Sequence, residues 1–120
     1  MARVVLAEDD EIMVSLLGAL LRLDGFEVEV VQPGEDVASA VARLSPDMLV
    51  LDVVLPKQSG LEILDRIRRT ERGRRLYTLM ISGLNVREEC IQHGADDFLL
   101  KPFMPEELTS KLRQHLPNSK

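Results

Sequence analysis

Short apolar runs alternate with amphipathic helical patterns along the whole chain. Five runs have the length and composition of strands, and they cover residues 3–7, 27–31, 47–52, 77–82 and 97–100. The first helix is predicted from Ile12, Leu16, Leu20 and Leu23, whose spacing is close to 3.6 residues, with Gly25 as its C-terminal cap. Four further helices are predicted over roughly residues 35–44, 61–70, 86–93 and 105–116. The last carries Leu108, Leu112 and Leu116 on one face.

Strict alternation of strands and helices predicts an α/β fold, with a parallel sheet covered by helices on both faces. The second strand alternates valine with Glu27 and Glu29, so we expect it at a sheet edge with one wet side. The first and third strands are continuously apolar, as central strands are. The pattern therefore favours a doubly wound five-stranded sheet in the order 2-1-3-4-5. Ligands of such sheets bind beyond the carboxyl ends of the strands.

Composition narrows the class of protein. The chain has 120 residues, of which 45% are hydrophobic and 29% are charged, and a net charge of −5. We expect one domain over 1–117 and a polar tail at 118–120. The acidic balance argues against direct nucleic-acid binding, and no apolar run approaches the roughly 18 residues of a membrane span. A lone cysteine, Cys90, fits a reducing cytoplasm.

Charged and hydroxyl side chains follow the strands at their carboxyl ends. Asp52 interrupts the apolar run "VLDVVLP", the acidic residues 8–10 follow the first strand, Ser82 ends the fourth, and Lys101 follows the fifth. Clustered carboxylates repel one another unless a cation joins them, and oxygen ligands suit Mg²⁺. With a lysine and a hydroxyl, this set suits phosphoryl transfer to a nucleophilic carboxylate. Asp52 is expected to be tolerated because it lies at the wet end of its strand and faces a cation.

Four motifs, "VVLAEDDE", "PDMLVLDVVLPKQSGLEIL", "MISG" and "GADDFLLKPF", occur in an order that resembles the receiver domain of two-component response regulators. The likeness covers essentially the whole chain and implies the flavodoxin-like form of the fold. It implies that Asp52 accepts phosphate, and that Glu8, Asp9, Asp52 and the Val54 carbonyl hold Mg²⁺. The motif "EDD" leaves an alternative, in which the two acidic metal ligands after the first strand are Asp9 and Asp10 instead of Glu8 and Asp9. If Asp10 is not a ligand, we expect it to begin the first helix, where a carboxylate is favourable.

The resemblance also implies a conformational switch. Ser82 matches the hydroxyl that turns toward the phosphoryl group, Lys101 the lysine that pairs with it, and Phe98 the aromatic residue that follows inward. Lys101–Pro102 is a candidate for a cis peptide bond. Phe98 stands where tyrosine is more frequent, so burial should be favoured.

Two features of the sequence differ from the usual receiver-domain pattern, and each leads to a further expectation. The segment 82–101 is about three residues shorter than in familiar members, which would shorten the fourth helix or the loop before it. The apolar residues Val54 and Leu84 flank the path of the hydrolytic water in such domains, and their side chains cannot orient that water. We therefore expect slow self-dephosphorylation.

The implied function is a switch rather than a turnover enzyme. A histidine kinase or phosphotransfer protein would phosphorylate Asp52, and a downstream effector would bind the face formed by helix 4, strand 5 and helix 5. The domain could also form a homodimer. Three alternatives remain: a receiver-like interaction module that never uses phosphate, an aspartate-nucleophile phosphatase, and a flavin or nucleotide carrier. Val54 occupies the phosphatase general-acid position, and "EDDEI" would repel nucleotide phosphates.

The run "RIRRTERGRR" at 66–75 is rich in arginine. It could bind phosphate or nucleic acid, but we interpret it as a solvated helix end, where arginines favour the negative terminus.

Overall fold

The main sheet has five parallel strands. The computed structural model describes residues 1–116; the predicted polar tail and Pro117 lie outside the described residues. The strands are β1 Arg3–Ala7, β2 Glu27–Val30, β3 Met48–Asp52, β4 Tyr77–Ser82 and β5 Asp97–Leu100. Their order is β2-β1-β3-β4-β5, and every neighbouring pair is parallel. The predicted order is confirmed.

Helices cover both faces of this sheet. They are α1 Glu11–Leu23, α2 Val37–Leu44, α3 Gly60–Arg68, α4 Arg87–Gln92 and α5 Pro105–Arg113. One hydrophobic core contains side chains of α1 and α5, and the other contains side chains of α2, α3 and α4. Since all five residues of β3 are buried, that strand is covered on both faces, as its apolar sequence predicted.

Two small elements were not predicted. Val54–Leu55 and Gln58–Ser59 form an antiparallel hairpin immediately after β3. The predicted helix over 61–70 ends at Arg68, and a separate one-turn helix follows at Glu71–Arg74. The Thr70 hydroxyl accepts a hydrogen bond from Gly73 N at 2.9 Å. This side-chain cap starts a new helical turn where the pattern had indicated a continuous one.

The buried face of α1 differs from the predicted one. Ile12 and Leu23 are 82% and 83% exposed, whereas Leu17 and Leu21 are buried in the core shared with α5. The sequence of α1 carries apolar residues on two sides of the helix, so periodicity alone could not select the buried side. Docking against the sheet and α5 selected it.

The C-cap of α1 and the end of α5 both lie earlier in the sequence than predicted. Gly25 follows the C-cap Asp24 with a positive φ of 94°, a conformation that glycine adopts without a steric penalty. Leu116 lies beyond the end of α5 and is exposed, while Leu108 and Leu112 are buried as expected.

Within residues 1–116, no helix has both the length and the apolar character that crossing a membrane requires.

The corrected face of α1 leads to a paired stability test. We expect Leu21→Ala to lower the free energy of unfolding by about 2–5 kcal/mol, because it leaves a cavity in a core position. Leu23→Ala should change it by no more than about 0.5 kcal/mol, since that side chain is exposed. Urea denaturation followed by circular dichroism measures both. Equal losses in the two variants would contradict the observed orientation of α1.

Candidate functional site

Asp52 ends β3 at the carboxyl edge of the sheet, next to the ends of β1 and β4. Its side chain is only 5% exposed, so the expectation of a wet strand end is wrong. Oδ1 accepts a hydrogen bond from Val54 N at 2.9 Å, and Oδ2 accepts one from Lys101 Nζ at 2.6 Å. The carboxylate is therefore tolerated in the interior because both of its oxygens are paired.

Lys101 follows β5 and reaches across the edge of the sheet. Its Nζ lies 2.6 Å from Asp52 Oδ2 and 2.7 Å from Glu8 Oε1. Burial lowers the pKa of Lys101, but hydrogen bonds and Coulombic attraction from Asp52 and Glu8 outweigh that effect and raise the pKa above its ordinary value. The ammonium therefore stays charged. The Lys101–Pro102 peptide bond is cis, as predicted.

The acidic residues after β1 take separate roles. Asp10 is the N-cap of α1, and its Oδ1 accepts hydrogen bonds from Ile12 N at 3.0 Å and Met13 N at 3.1 Å. The prediction that Asp10 begins the helix is confirmed. Glu8, whose side chain is 2% exposed, points into the site, and Asp9 lies at its surface. Glu8, Asp9 and Asp52 each offer an oxygen within 4.8 Å of the others.

This donor set fits a divalent cation. All three groups are carboxylates, the ligands that hard cations such as Mg²⁺ prefer. Glu8 Oε1 is buried and, among the described residues, has no donor in hydrogen-bond geometry, although Lys101 Nζ is close. The three acids could therefore hold a metal ion. The structure shows Val54 N–H bonded to Asp52, while ligation by the Val54 carbonyl stays a prediction.

Ser82 and Phe98 lie on β4 and β5, the two neighbouring strands at the Lys101 side of the site. Ser82 ends β4 and is buried, and its Oγ accepts a hydrogen bond from Leu84 N at 3.0 Å. Phe98 is buried in the core on the α2, α3 and α4 side of the sheet, as the missing hydroxyl favoured. The backbone N of Lys101 donates to Ser82 O at 2.8 Å, which joins the two strand ends. The switch roles of Ser82 and Phe98 stay predictions.

A glycine after β3 was missed as a positioning residue. A Cβ on Gly60 would lie 2.4 Å from the carbonyl oxygen of Asp52 and 2.7 Å from Val53 Cα. Gly60 N also donates to Val53 O at 2.7 Å. The start of α3 therefore packs directly on the backbone that carries the central carboxylate. The available signal was the glycine itself before a helical pattern, since glycine permits close backbone approach.

The arginine-rich run 66–75 was predicted to be a solvated helix end, but Arg66 and Arg68 make hydrogen bonds within the fold. Arg66 pairs with Asp36 at 2.9 and 3.1 Å, and hydrogen bonds from Arg66 and then Ser39 hold the pKa of Asp36 well below its usual range. Arg68 donates to the carbonyls of Leu76 at 2.8 Å and Gly94 at 2.7 Å, and is only 15% exposed. Arg68 therefore joins loops at the amino edge of the sheet rather than extending into solvent.

Comparison with known proteins defines the class of this fold and site. Residues 4–113 match the family described as the response regulator receiver domain. The chain belongs to that family, and it is a receiver domain of a two-component response regulator. Helix α4, which lies in the segment 82–101 that was predicted to be short, has six residues.

Curated relatives are longer proteins. The transcriptional regulatory protein TrcR of Mycobacterium tuberculosis is 36% identical over 98% of this chain and 46% of its own length. The DNA-binding dual master transcriptional regulator RpaA of Synechocystis is 34% identical over 94% of this chain and 48% of its own length. The chain thus spans about half the length of these relatives.

Solved structures of similar size share the fold. A response regulator from Chloroflexus aurantiacus superposes with a TM-score of 0.87 at 29% identity, covering 96% of this chain and 97% of that one. The receiver domain of sensor histidine kinase PA1611 from Pseudomonas aeruginosa has a TM-score of 0.82 at 30% identity, covering 94% and 95%. Its structure is described with a magnesium ion coordinated in the active-site cleft.

Proposed function

We propose that this domain accepts a phosphoryl group on Asp52 in a Mg²⁺-dependent reaction and acts as a conformational switch in two-component signalling. The observation that carries the proposal is the pairing of the buried Asp52 with Lys101, beside the carboxylates of Glu8 and Asp9. A carboxylate is a competent nucleophile toward phosphorus, and the lysine supplies positive charge where the phosphoryl oxygens would lie.

In the proposed step, an oxygen of Asp52 attacks the phosphorus of a phosphohistidine on a histidine kinase or phosphotransfer protein. The new O–P bond forms as the P–N bond breaks, and the electron pair of that bond returns to the imidazole nitrogen of the donor. Lys101, which is 2.6 Å from Asp52 Oδ2, would then pair with a phosphoryl oxygen instead of the carboxylate.

Mg²⁺, held by Glu8, Asp9 and Asp52, would neutralise charge on the transferring group. Support comes from the three carboxylate oxygens within 4.8 Å of one another and from the related receiver structure described with magnesium in its cleft. The domain would provide most of the transfer chemistry itself. We regard it as a switch that turns over only its own aspartyl phosphate.

Phosphorylation would shift the domain between two conformations. The proposed route is Ser82 turning toward the phosphoryl group and Phe98 repacking behind it, because both lie on strands next to Asp52 or Lys101. A downstream effector would then read the face of α4, β5 and α5. The DNA-binding role in the name of RpaA belongs to a protein about twice as long. For this chain, we propose only that the output follows the state of Asp52.

Two variants test whether Asp9 or Asp10 is the metal ligand in the "EDD" motif. Asp9→Asn should weaken Mg²⁺ binding by about tenfold or more, since loss of even an outer-shell partner costs roughly that much. Asp10→Asn should leave the affinity within about twofold, because asparagine caps a helix as well as aspartate. Isothermal titration with MgCl₂ measures both affinities. A larger loss in Asp10→Asn than in Asp9→Asn would reverse the assignment.

The proposed phosphoacceptor is tested by intact mass. Incubation of the native protein with acetyl phosphate and Mg²⁺ should add the mass of one phosphoryl group, and EDTA should prevent the addition. Asp52→Ala should gain no mass, because it lacks the nucleophile.

The matched control for this experiment is Asp47→Ala, which removes an exposed aspartate at the opposite end of β3 and should still be phosphorylated. If Asp52→Ala and the native protein gain the same mass, Asp52 is not the acceptor. If neither gains mass, the phosphorylation-independent interaction module becomes the better description.

The apolar residues beside the acceptor predict a long-lived aspartyl phosphate. Val54→Asn should accelerate its hydrolysis by up to about tenfold, because one hydrogen bond of about 1.4 kcal/mol to the attacking water is gained. Decay is timed by intact mass after removal of the phosphodonor. Leu23→Asn is the control, since Leu23 is also exposed and apolar but lies at the far end of α1. A native aspartyl phosphate that disappears within seconds would contradict the prediction.

A further inference from the structure

A cleft of about 380 Å³ opens beside the acidic residues that follow β1. It lies between the first turns of α1, the loop that joins β2 to α2, and the hairpin after β3. Its volume falls within the roughly 300–1,000 Å³ of sites that bind small molecules. The cleft therefore has the size of a ligand site, and the phosphoacceptor chemistry does not use most of it.

The floor and sides of the cleft are mainly apolar. The residues that form them are Val14, Val31, Val37, Leu55, Pro33 and Pro56. Val31, Val37 and Leu55 are buried and belong to the core, so this part of the wall is fixed by packing. An apolar group placed here would exchange water for a preformed apolar surface.

Gln58 holds the two loops of the cleft together. Its Oε1 accepts a hydrogen bond from Val37 N at 3.3 Å, and its Nε2 donates to Glu35 O at 3.1 Å. The loops also turn at Gly34 and Lys57, which have positive φ angles of 84° and 63°. Because the hairpin and the β2–α2 loop are joined by side-chain hydrogen bonds, the cleft exists before any ligand binds.

All charged residues that line the cleft within residues 1–116 are acidic. Glu8, Asp9, Glu11 and Glu35 line it, and no lysine, arginine or histidine does so among residues 1–116. Glu35 pairs with Arg43 at 2.5 Å. Glu8 pairs with Lys101 Nζ at 2.7 Å, whereas Asp9 and Glu11 are exposed and make no ion pair within the described part of the chain. An anionic ligand would be repelled, and a cationic one attracted.

We propose that this cleft binds a small organic cation, an ammonium or guanidinium group on a compact apolar stem. The stem would pack on Val14, Val31 and Leu55, and the charged group would lie near Glu11 and Asp9. The pairing follows from the observed surface, since the apolar floor and the carboxylates of Asp9 and Glu11, which make no ion pair within residues 1–116, lie at the same opening.

Binding there should oppose binding of the metal. The cleft shares Glu8 and Asp9 with the candidate metal site, so a second positive charge would raise the energy of Mg²⁺ at that site. By reciprocity, Mg²⁺ must weaken the affinity for the organic cation by the same factor. This coupling rests on the proposed function, whereas binding of the organic cation by itself does not.

Three probes of one shape test the binding. Phenethylamine, phenethyl alcohol and hydrocinnamate are cationic, neutral and anionic at neutral pH, and each is titrated into ¹⁵N-labelled protein in EDTA. We expect phenethylamine to shift the amide signals of Ser15, Gly34 and Gln58 in a saturable way. The alcohol should bind more weakly, and hydrocinnamate should not bind. Equal affinity for the three probes, or shifts that avoid these amides, would overturn the proposal.

Matched variants separate charge from cavity. Glu11→Gln should weaken phenethylamine binding several-fold, whereas Glu62→Gln should not, because Glu62 is an exposed glutamate in the first turn of a different helix. Val14→Phe should block the cleft and abolish binding. If Val14→Phe fails to fold, the glutamate pair still decides: equal effects of the two substitutions would refute a site at this cleft.

The coupling is measured by repeating the amine titration in saturating MgCl₂. The affinity should fall by roughly fivefold or more. An unchanged affinity in the presence of bound Mg²⁺ would refute the coupling. If the protein binds the amine in EDTA but never binds Mg²⁺, the proposed metal function fails and the organic-cation site stands.

Discussion

The ammonium group of Lys101, placed between Glu8 and Asp52, is the interaction on which the site depends. Two carboxylates that are 2% and 5% exposed would repel each other strongly without it, because burial weakens solvent screening. These three residues come from the carboxyl ends of β1, β3 and β5. One ion-pair network therefore joins three strands at the same edge of the sheet. The charge that stabilises the unphosphorylated site is also the charge that a phosphoryl group would attract.

The backbone around Asp52 supports this arrangement. Val54 N–H fixes one carboxylate oxygen, and Gly60 lets α3 begin directly on the Asp52–Val53 backbone. The hairpin formed by residues 54–59 is joined to the β2–α2 loop by the hydrogen bonds of Gln58. The proposed phosphoacceptor, the candidate metal ligands and the adjacent cleft thus share the same short loops.

Much of the fold follows from local patterns. Alternating apolar runs and helical segments specify a parallel sheet, and the alternation of Glu27 and Glu29 with valine identifies the edge strand. The same reasoning failed for α1, because leucines on both sides of that helix satisfy the periodicity equally well. It also failed at 61–70, where the Thr70 cap breaks the helix. For α1, packing contacts distant in sequence selected the buried side, whereas at Thr70 a local side-chain cap starts a new helical turn.

The sequence by itself determined which chemical groups reach the carboxyl edge, since residues that end parallel strands must meet there: Glu8, Asp9, Asp52, Ser82 and Lys101. It could not determine that Asp52 is buried and paired with Lys101, nor that Asp10 turns away to cap α1 while Glu8 turns inward. Side-chain direction and burial depend on how helices and loops pack over the strand ends, and on which donors that packing brings within hydrogen-bond distance. The cleft lined by Val14 and Gln58 exists only in the folded chain, because three separate segments enclose it.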